Sequence, residues 1–169
     1  LVLLYTVFPE VDVITRRARL RNTGDSPAEV VKLASMQLDV PDRGFTVRSF
    51  DGDWIHEAHA HDRPLSSGVF AIGSTTGASS NRHNPGTLLI AGDADDDHGW
   101  VYGFNLVYSG SHATTFERDA LGSVRVLSGI QPQAFRWLLA PGESFETPEA
   151  VLAFSDAGVR DDRLRESSL

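Results

Sequence analysis

Polar and apolar residues alternate with a period of two along most of this chain. Over residues 11–22, Val13, Thr15, Arg17 and Arg19 fall on one side, and Ile14, Arg16, Ala18 and Leu20 on the other. That is a strand period, not a helical one. Asn22-Thr23-Gly24-Asp25-Ser26-Pro27 supplies turn formers, and alternation resumes over residues 28–40. The pattern predicts that this second strand pairs back on the first as a hairpin. A strand follows at residues 45–50, ended by Asp51-Gly52, with two more at 69–72 and 87–90. Residues 101–108 and 112–119 flank Ser109-Gly110-Ser111, which predicts a three-residue hairpin; shorter runs at 124–127 and 134–139 complete the set. Strands about every 8 to 12 residues, with no helical period between them, predict an all-β, antiparallel β-sandwich over residues 1–157. Only residues 158–169 carry a pattern compatible with a helix, expected as a short helical tail.

One stretch breaks the alternation. Gly77-Ala78-Ser79-Ser80-Asn81-Arg82-His83-Asn84-Pro85 is polar without any burial period, between two apolar strands. It is expected to be a loop in which Ser79, Ser80 and Asn84 bond backbone groups locally and Pro85 fixes the exit. Arg82, His83 and Asn84 are the candidates for a domain or subunit boundary.

Composition narrows the chemistry. At 169 residues a chain buries roughly 70% of its extended surface, enough for a core without staples. There is no cysteine, so disulfides, thiolate metal sites and thiol catalysis are excluded, in keeping with a reducing, cytoplasmic compartment. A formal net charge of -8 argues against a phosphate-tracking surface, so nucleic acid is not an expected partner. The opening run Leu1-Val2-Leu3-Leu4-Tyr5-Thr6-Val7-Phe8 lacks a basic flank and is too short to span a bilayer; it reads as a strand whose upstream partners lie elsewhere.

Four groups of residues invite a chemical reading. In His56-Glu57-Ala58-His59-Ala60-His61, His59 and His61 share one strand face, but His56 and Asp62 fall on the other, so no metal site is expected. Asp93-Ala94-Asp95-Asp96-Asp97 opens like a calcium loop, yet His98 stands where glycine is needed and Phe104 where glutamate is needed. Glu143, Glu146 and Glu149 supply carboxylates in a turn and edge-strand context with no pocket wall, and surface carboxylates are the default there. Serine beside His83 lacks both a nucleophile elbow and an orienting aspartate. Trp54 is either a core plug or a flat platform for a sugar face; the core reading is favoured, and periodicity places Trp137 in the core as well.

Taken in order, Tyr5-Thr6-Val7-Phe8-Pro9, Leu20-Arg21-Asn22-Thr23-Gly24, Gly52-Asp53-Trp54, Gly77-Ala78-Ser79-Ser80 with His83-Asn84-Pro85, Gly99-Trp100-Val101-Tyr102-Gly103-Phe104, and Leu139-Ala140-Pro141-Gly142-Glu143 with Thr147-Pro148-Glu149 resemble the N-terminal β-sandwich of family 36 glycoside hydrolases, the bacterial α-galactosidases. The resemblance implies a galactose-mutarotase-like supersandwich. It implies no cofactor, and a catalytic (β/α)8 barrel downstream whose aspartates act on α-galactosides such as melibiose and raffinose, usually in a homo-tetramer. No catalytic residue of that family maps onto this chain. Asp53, Trp54 and His56 are then candidates to border the substrate mouth, although His56-Glu57-Ala58 departs from the Arg-Glu-Arg common there. Two rivals stay open: a free-standing carbohydrate-binding module, which needs a row of exposed aromatics, and a mutarotase-like enzyme using a histidine and a glutamate.

Overall fold

The computed structural model describes residues 1–79, 82–133, 135–161 and 164. Among the described residues, fourteen strands carry the fold. They are β1 (Val2–Phe8), β2 (Val13–Arg21), β3 (Ala28–Val30), β4 (Ala34–Pro41), β5 (Thr46–Asp53), β6 (His56–Pro64), β7 (Gly68–Gly73), β8 (His83–Ile90), β9 (Val101–Val107), β10 (His112–Arg118), β11 (Ser123–Ile130), β12 (Trp137–Leu139), β13 (Ser144–Glu146) and β14 (Glu149–Ser155). A large antiparallel sheet runs β1-β2-β14-β9-β8-β5-β6, with β13 also on β2; a four-stranded sheet runs β4-β11-β10-β7, and β12 pairs with β3. The antiparallel sandwich is as the alternation predicts. Among the described residues, no helix is long and apolar enough to cross a membrane.

The core lies between the two larger sheets. Val47, Leu89, Phe104, Leu106 and Ala150 from one sheet meet Met36, Val40, Ile72, Phe116, Val124 and Val126 from the other, and Phe45 plugs the end of β5. Phe104 and Phe116 meet edge to face across the layers, centroids 6.3 Å apart and planes inclined at 65°, a favoured aromatic geometry. The outer face of the large sheet holds a second cluster of Val13, Leu88, Ile90, Val101, Ala153 and Leu164. The chain after β14 therefore returns across that face. Leu164 is helical and buried; the rest of the expected helical tail from residue 162 onward lies outside the described residues.

Pairing differs from the sequence expectation in three places. First, the strand expected over residues 28–40 divides into β3 and β4, and neither pairs with β2. β3 takes β12 and β4 takes β11, while β2 lies between β1 and the β13–β14 pair. Second, β9 and β10 do not form a hairpin: β9 sits between β14 and β8, and β10 between β11 and β7. Residues 108–111 cross from one layer to the other, where alternation is preserved on both sides and gives no sign of the crossing. Third, Glu149 does not lie at an edge but opens β14, a central strand between β2 and β9. Its run Ala-Val-Leu-Ala lacks polar alternation because Ala150 and Leu152 face the main core and Val151 and Ala153 the outer cluster. A strand covered on both faces reads as continuously apolar.

Candidate functional site: the β5–β6 hairpin and the groove beside it

β5 does not end at Asp51-Gly52. The ladder with β6 runs on to the pair Asp53 and His56, leaving Trp54 and Ile55 as the two-residue tip. Gly52 permits this, since a Cβ there would come within 2.2 Å of the His56 carbonyl oxygen; no side chain fits so close an approach. On the opposite strand Ala58 adopts a positive φ of 58°, and at the tip Ile55 has φ 80°. A β-branched residue in the left-handed region is strained, by roughly 1–3 kcal/mol. The outcome is a tight turn that projects Trp54 into solvent, 82% exposed.

Trp54 is therefore not a core residue, contrary to the favoured expectation: the turn carries it beyond the end of the sheet, where no second layer covers it. Trp137 departs from expectation too, at 48% exposed. Its strand β12 pairs only with the three-residue β3 outside the main sandwich, and the indole rests on Phe145, centroids 5.2 Å apart. Trp100 is half covered by its contacts, with the Arg43 guanidinium stacked 3.6 Å from its ring centre and Phe154 edge-on at 5.6 Å. The three indoles stand on three separate elements.

The stretch expected to be a loop is partly strand: His83, Asn84 and Pro85 open β8. Between β5 and β8 the register jumps from the pair Ser49 and Thr87 to the pair Asp51 and His83, so Asn84, Pro85 and Gly86 bulge opposite Phe50. Proline lacks the ladder donor, and Asn84 Oδ1 accepts from the Gly86 N–H at 2.7 Å, the local bonding expected of it. The trio is thereby split. His83 turns towards Asp51, with Nδ1 3.0 Å from Oδ1; Asn84 lines a cleft on the outer face with Phe50, Ala58 and Ala60; and the Arg82 carbonyl accepts weakly from Gly52 N–H at 3.4 Å. Ser80 and Asn81 lie outside the described residues.

Cross-strand register places three rows on the inner face of this end of the sheet. They read His59–Asp51–His83, His61–Ser49–Thr87 and Arg63–Val47–Leu89. His59 and His61 share one face, as their parity predicts. Of these rows, Ser49, Asp51, His61, Arg63 and His83, together with Asp62 and with Phe70, Ala71, Ile72 and Gly73 of β7 opposite, line a groove of about 550 Å³. Arg48 and Asp62 pair on the other face through two hydrogen bonds of 2.6 and 2.7 Å, and that guanidinium holds the Asp62 carboxyl below its ordinary range. Deeper in, His112 is buried with neither ring nitrogen hydrogen-bonded, and Thr87 Oγ1 is likewise without a partner. Burial pushes the His112 imidazole below its usual pKa; the Gly110 backbone opposes this and His83 adds to it. Sequence parity carried a signal for His61, but the part played by Ser49, Asp51 and Arg63 depended on which strand lay alongside.

The other candidate carboxylates are held in structural bonds. Glu146 pairs with Arg17 and Arg19, Glu149 accepts from Thr15, and Glu143 accepts from the Ala140 N–H. Asp95 accepts from the N–H groups of Asp97 and His98, and Asp96 pairs with Arg160. No group of three or more His, Asp or Glu among the described residues could hold a metal ion.

The profile of the glycosyl hydrolase family 36 N-terminal domain matches residues 1–140. The chain belongs to this family. The α-galactosidase AgaA of Geobacillus stearothermophilus is 43% identical over 157 residues, covering 93% of this chain and 22% of AgaA. The α-galactosidase Mel36A of Lactobacillus acidophilus is 36% identical over the same length, covering 93% of this chain and 21% of Mel36A. Among solved structures, the α-galactosidase of Lactobacillus brevis superposes with a TM-score of 0.92 at 38% identity, covering 98% of this chain and 22% of the other. A variant of AgaA in complex with stachyose gives 0.89 at 44% identity, covering 92% and 22%. The family 36 sandwich described here thus spans about a fifth of the length of these relatives.

Proposed function

We propose that this sandwich is the non-catalytic flank of a retaining α-galactosidase, packed on a (β/α)8 barrel of the same polypeptide, and that its β5–β6 tip borders the galactoside mouth. The observation that carries the reading is the tip itself. An indole 82% exposed on a turn that holds Ile55 at positive φ is costly to build, and local strain of this kind gathers where a side chain must be presented in one orientation. Asp53 and His56 flank it as hydrogen-bonding groups, and a flat aromatic face suits the C–H face of a galactose ring. The paired carboxylates of this chain, bound to its own arginines and backbone, support a non-catalytic role. Homo-oligomeric assembly, with Arg82, His83 and Asn84 near a boundary, belongs to the same proposal.

The test is Trp54→Ala in the complete polypeptide. Loss of one stacking contact is worth about 0.5–1.5 kcal/mol, so KM for raffinose should rise roughly two- to tenfold with kcat far less affected. Unchanged KM and kcat would remove the tip from the substrate mouth.

A further inference from the structure

The three inner-face rows beside the tip raise a question that packing does not answer. Inner-face positions of a sandwich are ordinarily apolar, as Val47 and Leu89 are. Yet the two rows nearest the hairpin tip are entirely polar: His59, Asp51 and His83, then His61, Ser49 and Thr87. From these rows Asp51, His83, His61 and Ser49, with Arg63, Phe70 and Ile72, line a groove of about 550 Å³, within the range of about 300–1,000 Å³ typical of small-molecule sites.

The chemistry of the lining selects the class of ligand. Asp51 and Ser49 can accept from hydroxyl groups, while Arg63, His61 and His83 can donate to them. The lining carboxylates are Asp51 and Asp62 and its guanidinium is Arg63; Asp62 is bound by Arg48 and Arg63 offsets the charge of Asp51, so neither a phosphate nor a cation meets an excess of opposite charge. Arg63 lies over the Phe70 ring, 4.6 Å from its centre, and Phe70 with Ile72 and Gly73 forms an apolar wall. Convergent donors and acceptors over an apolar wall, without net charge, suit a neutral polyhydroxylated ring. We propose that this groove binds a neutral saccharide, of the size of one hexose or hexoside. The assignment does not rest on Trp54, which is not among the residues lining the groove.

The test uses the 169-residue chain with labelled histidines, titrated in separate series with methyl α-galactopyranoside, inorganic phosphate and zinc chloride, the ring signals of His61 and His83 being followed by NMR. The galactoside should shift both sets of signals saturably. Asp51→Asn and Arg63→Gln should each weaken binding about tenfold or more, as expected for loss of a charge-assisted hydrogen bond. Where Asp51→Asn disturbs folding, Arg63→Gln, at an exposed edge position, decides alone. Saturation by phosphate or zinc without the galactoside, shifts that never saturate, or galactoside binding undiminished by Arg63→Gln would each overturn the assignment.

Discussion

At the scale of single residues, His112 shows how burial sets a titration. Both its ring nitrogens lack partners, and desolvation lowers its pKa in the folded state. The unfolded imidazole, near 6.5, takes up its proton first as pH falls. Stability should therefore decline from about pH 6.5 downward and level once the folded imidazole also protonates. His112→Phe removes the titration together with two unpartnered nitrogens, and replacing unsatisfied groups by an apolar ring is close to neutral or stabilising. Melting curves from pH 7 to 5 should show a flatter profile for the variant and no loss at pH 7; a variant that keeps the original slope would assign the acid sensitivity elsewhere. Asn84 shows the converse. Its carbonyl oxygen satisfies the Gly86 N–H freed by the Pro85 bulge, so Asn84→Ala should cost about 1 kcal/mol, or a little more, measured by urea unfolding of the same chain.

Among the elements, β1 is the exposed edge. Among the described residues it pairs only with β2, and Leu1, Val2, Leu3, Tyr5 and Val7 are all exposed. A long apolar edge with free ladder groups recruits other strands. The 169-residue chain should therefore self-associate with rising concentration in sedimentation velocity, and Val7→Lys should shift it towards monomer without lowering its melting temperature; a wild-type chain that stays monomeric at high concentration would contradict this. The β5–β6 hairpin forms the opposite edge, and every position of β6 is exposed. Alternation correctly marks its facing residues, but it cannot report that the strand has no second layer beyond its tip. Hence Trp54 reads as a core residue in sequence and stands in solvent in the fold.

For the whole molecule, the carboxylates that the sequence offers for hydrolysis are committed to the fold itself. Glycosidases need two carboxyl groups set across the scissile bond. Here Glu146 and Glu149 are bound to Arg17, Arg19 and Thr15. The purified 169-residue chain is accordingly expected to release no nitrophenol from a nitrophenyl α-galactoside; turnover that persists through a second purification would show chemistry within the sandwich itself.

The sequence by itself determined what is local: the strand period, the turn-forming clusters, the shared face of His59 and His61, the exclusion of thiol chemistry and, through ordered short motifs, the family. Tertiary structure decided what is not local. Period two states which side chains share a face, but not which strand lies next to them. So β2 and β4 could be read as a hairpin although β14 and β11 are their partners, and β9 and β10 as another although they belong to different sheets. The groove assembles His61 from β6, Asp51 from β5, His83 from β8 and Phe70 from β7. Its composition follows from strand order, which is fixed by burial of the two apolar faces together and not by any one segment.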